Sequence, residues 1–187
     1  VACNTISALV LDEIIPLYPE LKITGIIDLT LTQIQPGYEK ILVVATQGTI
    51  NSQAYPTKIK SLYPKSQGIG KALPQLVIQL EGLAPHSEIE TYLRSNLESY
   101  QGQVEAVILA CTHYPLMRTT FETLLQVPVY DSEKPILDLF KNRHLESGSS
   151  RVMTTKDPSY MAKQIKTLFK TDEFVELAQV DHADRCC

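Results

Sequence analysis

Residues 104–116 read Val104-Glu105-Ala106-Val107-Ile108-Leu109-Ala110-Cys111-Thr112-His113-Tyr114-Pro115-Leu116. From Ala106 to Cys111 the run is apolar without a break. A strand with one wet face alternates, whereas a short continuous run of this kind suits a parallel strand covered on both faces. Polar Thr112 and His113 end it, and Pro115 follows close behind. Ile41-Leu42-Val43-Val44-Ala45 has the same character and also ends on a polar residue, Thr46.

Working outward, short apolar runs predict strands at Lys22–Asp28, Lys40–Ala45, Leu76–Leu80, Val104–Ala110, Val127–Tyr130, Arg151–Thr154 and Phe174–Val180. Segments of helical period lie between them. Ser87, with Glu90 three residues on, makes a capping box ahead of the stripe Ile89, Leu93, Leu97 and Tyr100. Asp157 followed by Pro158 reads as an N-cap with proline at the first helical position, before Met161, Ile165, Leu168 and Phe169. Strand and helix in alternation predict an α/β fold with mainly parallel sheets. Turn-like breaks fall at Gln33–Gly37 and Tyr130–Pro135, a flexible loop at Glu146–Ser150, and a frayed tail at Asp181–Cys187.

The chain has 187 residues, 44% hydrophobic and 20% charged, with 17 basic against 21 acidic side chains and a net charge of −4. That balance excludes a disordered chain and leaves enough length to bury a real core. It also lacks the clustered basic patch that nucleic-acid binding requires. The apolar runs are too short to cross a bilayer, and the first residues lack the basic opening of a signal peptide. Gly68-Ile69-Gly70 lacks a third glycine and follows no convincing strand, so it is a poor dinucleotide loop. His182, Cys186 and Cys187 gather at the tail without the paired spacing of a zinc site, so no metal ligands are assigned.

Four cysteines, at positions 3, 111, 186 and 187, are too few for a secreted disulfide scaffold, and reduced thiols in a cytosolic protein are the better reading. Val1-Ala2-Cys3-Asn4-Thr5 and Leu109-Ala110-Cys111-Thr112-His113 share one pattern: apolar, Ala, Cys, polar, polar. Two related α/β halves would account for it, and so would chance over five residues. In open parallel sheets the ligand site lies beyond the carboxyl ends of the strands. A thiol there sits near the start of the next helix, where free amides favour thiolate and can hold a carboxylate. The competing account is a buried structural cysteine, the commoner state of any single free thiol.

Three strings carry a family resemblance: Ala2-Cys3-Asn4-Thr5, then Ala45-Thr46-Gln47-Gly48-Thr49-Ile50-Asn51-Ser52 with Tyr55, then Ala110-Cys111-Thr112-His113-Tyr114-Pro115-Leu116. In order and spacing they resemble the glutamate racemases, over almost the whole chain. The resemblance implies a cytoplasmic, cofactor-independent racemase that interconverts L- and D-glutamate and supplies D-glutamate for peptidoglycan, hence for cell-wall biogenesis and cell shape. It implies a homodimer with glutamate as its partner, and neither nucleic acid nor membrane.

The implied fold is two pseudo-symmetric α/β domains with the active site between them. Residues 1–28 plus 132–187 would form what remains of the first, and 29–131 the second. Cys3 and Cys111 match the two catalytic thiols on opposite faces of the substrate α-carbon, and His113 the residue that assists the second. Asn4, Thr5, Thr46, Thr49 and Thr112 match substrate-binding positions, with Glu81 as a further candidate. A histidine bonded structurally at a helix start, and an exposed loop carboxylate, are the bland accounts of His113 and Glu81.

Two parts of the family pattern have no counterpart here: an Asp-Ser-Gly segment whose Asp assists the first cysteine, and a Pro-Tyr-Gly segment that contacts substrate. The expectation is a family member lacking its N-terminal portion, with the first sheet missing its opening strands and activity poor for the chain as it stands. Two alternatives remain: a racemase of aspartate or hydantoins, and a non-catalytic binding protein on the same scaffold.

Overall fold

The computed structural model describes residues 1–141 and 149–179. It divides into two compact units, Val1–Arg143 and His144–Cys187. The first unit holds a four-stranded, wholly parallel sheet in the order β2-β1-β3-β4, with β1 at Lys40–Ala45, β2 at Gln67–Ala72, β3 at Ala106–Ala110 and β4 at Val129–Tyr130. The second pairs β5 (Val152–Thr154) with β6 (Val175–Leu177), again in parallel, beside a helix of its own. The mixed α/β, mainly parallel architecture is the one expected.

The continuous apolar runs feed two cores at once. Leu42, Val44, Val107 and Leu109 pack on one face with helices α6 (Pro74–Glu81), α7 (His86–Leu97) and α8 (Arg118–Leu125). Ile41, Val43, Ala45, Ala106, Ile108 and Ala110 pack on the other with α3 (Ile26–Leu31) and α5 (Ala54–Leu62). Successive strand residues point to opposite faces, so a strand buried on both sides has no polar position to offer. The remaining α-helices among the described residues of this unit are α1 (Asn4–Leu9), α2 (Leu11–Ile14), α4 (Gln47–Asn51) and α9 (Glu133–Phe140).

Leu76–Leu80 is part of helix α6 rather than a strand. Pro74 opens it at the first helical turn, Leu76 and Leu80 are buried at i and i+4, and Ile78 between them is 62% exposed. Five apolar residues fit either period, and the proline decides. Lys22–Asp28 is likewise no strand, because Gly25 caps α3 and the chain turns helical at Ile26. Strand β2, in contrast, carries no apolar run that would mark it in the sequence. Its Gly68 serves packing: a Cβ there would stand 3.0 Å from both Ile59 Cδ1 and the Pro56 Cα. A strand on which a helix lies this close needs glycine and loses its apolar signature.

Helix α7 begins at His86 behind Pro85 with no side-chain cap, and Glu90 pairs with Arg94 at 2.8 Å, so Ser87 and Glu90 form no capping box. The cap before α10 (Pro158–Phe169) is as read: Asp157 Oδ1 accepts from the Ser159 amide at 2.9 Å. Met161, Ile165 and Leu168 are half-buried, and Phe169 is exposed. Strand β6 covers the centre of the expected Phe174–Val180, whose last residue lies outside the described residues. So do the tail with His182, Cys186 and Cys187 and most of the Glu146–Ser150 loop. No described helix is long and apolar enough to cross a membrane.

Candidate functional site

Register sets the site. Ala45 pairs with Ala72 on one side and with Ala110 on the other, so β1, β2 and β3 finish level. The next residues, Thr46, Leu73 and Cys111, therefore leave the sheet along one edge, beyond the carboxyl ends of the strands. A parallel sheet makes this edge the natural binding end, because the connecting turns and helix starts gather there.

Cys111 is 7% exposed, and its carbonyl accepts from the Tyr114 amide at 3.1 Å, closing a turn into the short 3-10 segment Tyr114–Met117. Tyr114 fixes that turn. Its hydroxyl donates to the Leu73 carbonyl at 2.8 Å, and its ring stacks on Phe121 of α8 with centroids 6.4 Å apart. His113 leans back over the thiol with Nδ1 at 3.9 Å from Sγ, while its Nε2 lies 3.0 Å from Glu81 Oε1 at the end of α6. Glu81, His113 and Cys111 thus form one line. With Nε2–H donating a hydrogen bond to the carboxylate, the Nδ1 lone pair faces the thiol and can accept its proton.

Burial pushes the Cys111 thiol above its ordinary value, against the pull of the His113 and Tyr114 amides, while negative charge at Cys3 and Glu81 pushes it further up. The expected lowering by backbone amides is present but outweighed, because a buried thiolate loses more in water than two amides return. The Tyr114 amide is the contact that motif reading missed; the proline after it was the available hint. Alkylation of Cys111 by iodoacetamide, followed by mass spectrometry of its peptide, should therefore keep rising beyond the ordinary thiol pKa of about 8.5. A plateau below that pH would contradict the raised value.

Cys3 stands just before α1 in extended conformation, and its carbonyl accepts from the Ser7 amide at 2.9 Å. Helix α1, which follows Cys3, packs against α4, which follows β1 at the same edge of the sheet. Asn4 is 3% exposed and accepts the Tyr55 hydroxyl on Oδ1 at 2.7 Å, while its Nδ2 is buried without a hydrogen-bond partner among the described residues. Thr5, Thr46 and Thr49 form a triangle of hydroxyls at 2.9, 3.1 and 3.2 Å. Thr46 also caps α4 by accepting the Thr49 amide. The triangle joins the turn after Cys3 to the turn after β1. Thr112 is exposed at the turn beside Cys111.

Three protons shared in a closed ring of hydroxyls are three donors that an arriving carboxylate can take over. Among the described residues no group of three or more His, Cys, Asp or Glu side chains is placed to hold a metal ion.

The Asp/Glu/Hydantoin racemase family model matches residues 1–136. The chain is 30% identical to the glutamate racemase of Staphylococcus carnosus over 96% of its own length and 73% of that protein's. It is 32% identical to that of Aquifex aeolicus, over 90% and 67%. Its fold superposes on the crystal structure of glutamate racemase from Francisella tularensis in complex with D-glutamate with a TM-score of 0.78 at 24% identity, covering 96% of this chain and 72% of that one. The chain is thus shorter than these relatives.

Proposed function

The chain belongs to the Asp/Glu/hydantoin racemase family, and we propose that it acts on glutamate, exchanging the α-proton between two thiols without a cofactor. One observation carries this reading: the edge of the sheet holds Cys111 in line with His113 and Glu81, and Cys3 leads into helix α1, which packs against α4 at that edge. A reaction that runs both ways needs an acid/base group on each face of the α-carbon. Cys111 gives its proton to His113, whose imidazolium Glu81 stabilises, and the thiolate removes the α-proton. The electron pair left on the α-carbon spreads into the carboxylate, which the hydroxyls of Thr5, Thr46 and Thr49 stabilise as charge builds on it. The Cys3 thiol returns a proton on the opposite face. In the reverse direction the two thiols exchange roles.

Asn4 and Thr112 complete the substrate contacts in this reading. The rest of the proposal is a cytoplasmic homodimer that supplies D-glutamate for peptidoglycan, with residues 1–28 plus 132–187 and 29–131 as its two pseudo-symmetric halves. The Asp-Ser-Gly and Pro-Tyr-Gly segments of the family pattern are not among the 187 residues. For these residues by themselves we expect slower exchange than in a chain that carries both.

The test is incubation in deuterium oxide with L-glutamate, D-glutamate, L-aspartate and a 5-substituted hydantoin, following loss of the α-proton signal by NMR. Both glutamate enantiomers should lose it above the buffer rate, and the other two substrates should not. Faster exchange with aspartate or the hydantoin would overturn the substrate assignment. Saturable glutamate binding with no exchange would make the protein a binding module.

A further inference from the structure

Tyr55 is a buried titratable group to which the proton-transfer scheme gives no task. It lies in α5, 1% exposed, and its phenol donates to Asn4 Oδ1 at 2.7 Å, across 51 residues of sequence. Burial raises its pKa well above the ordinary phenol value, only partly offset by a contact with Thr30, so the group remains a neutral donor at any working pH. The other end of the same amide tells the rest. Asn4 Nδ2 is buried and has no hydrogen-bond partner among the described residues. A buried amide nitrogen without an acceptor is costly enough that native structures rarely keep one unless something else completes it.

Resting on the glutamate reading above, we infer that Tyr55 is a positioning residue: it locks the Asn4 side-chain amide with its oxygen occupied and its nitrogen reserved for a substrate carboxylate. An asparagine amide is nearly symmetric in shape but opposite in chemistry at its two ends. With oxygen outward it would attract an ammonium group and repel a carboxylate, and with nitrogen outward it does the reverse. The phenol can satisfy the oxygen end only by donating, and that choice turns the NH2 group away from it. Asn4 follows Cys3 directly, so the orientation of this one amide fixes which end of an amino acid can lie beside the first thiol. Among the described residues the hydroxyl triangle and the Tyr55–Asn4 bond share no hydrogen bond, so this selection is made separately.

Tyr55→Phe keeps the ring and its packing and removes only the donor. Two readouts on this chain test the inference. Affinity for L- and D-glutamate, measured by titration calorimetry, should weaken about five- to tenfold, the value of a single hydrogen bond. The side-chain NH2 resonances of Asn4, assigned by their loss in Asn4→Ala, should shift or double in the 15N–1H spectrum of the ligand-free variant as the amide gains a second orientation. A purely structural tyrosine would leave that pair in place. Unchanged glutamate affinity, or unmoved Asn4 resonances, overturns the inference while the glutamate reading stands. If the unaltered chain binds no glutamate, the proposed function falls, and the ligand-free spectra still decide whether Tyr55 locks the amide.

Discussion

Cys3→Ser and Cys111→Ser should each bring the interconversion of L- and D-glutamate, followed by polarimetry, down to the rate of buffer alone. A hydroxyl is a far weaker acid than a thiol, so at neutral pH serine offers almost no conjugate base where cysteine offers some. Losing a positioned acid/base group costs about a hundred- to ten-thousandfold in rate. The two variants should be alike, because a reaction that crosses both faces of one carbon stops when either face loses its proton carrier. For the same reason the double variant should be no slower than either single one, since residues that act as a unit do not add. Each substitution trims one sulfur to an oxygen at a site whose packing is set by neighbours such as Tyr114, so the folded state should persist. Far-UV circular dichroism checks that directly. Racemisation at the unaltered rate in either variant would remove the two-thiol scheme, whatever the other one does.

How much of this was visible in the sequence depends on what each residue was doing. β1 and β3 could be read because they are buried on both faces and carry nothing but apolar side chains. β2 could not, because Gly68 has traded its side chain for the approach of Pro56 and Ile59. The apolar core of α6 reads equally well as a strand because five apolar residues cannot declare their period, and the exposed Ile78 adds a false signal. At the site, spacing and motif named the residues, but only the fold could bring them together. The level ends of β1 and β3 put Thr46 beside the turn of Cys111, and α6 carries Glu81 to His113 across 32 residues. The sign of the Cys111 shift was unreadable in principle, because it depends on how burial and two amides balance in three dimensions. The bond from Tyr55 to Asn4 belongs to the same class, a partner 51 residues away that no local pattern announces.

Phe121→Ala is the substitution expected to cost most in stability. Phe121 is fully buried on α8 and stacks against Tyr114, itself fully buried and hydrogen-bonded to Leu73. Removing a buried aromatic ring leaves a cavity that its neighbours only partly fill, at about 3–5 kcal/mol. Set against a total folding free energy of about 5–15 kcal/mol, that is enough to threaten the fold. Urea denaturation should show the midpoint falling sharply, whereas Phe169→Ala, at a residue 61% exposed, should move it by no more than about 0.5 kcal/mol. Because the chain forms two compact units, the loss is best read through a probe in the first, and the Cys111 thiol is such a probe. Phe121 supports Tyr114, and Tyr114 closes the turn that covers the thiol, so the cavity should loosen that turn before the sheet melts. Alkylation of Cys111 at fixed pH and low urea should therefore speed up in Phe121→Ala and stay unchanged in Phe169→Ala. Equal rates in the two variants would mean that the turn around the second cysteine is held by something other than this stacked pair.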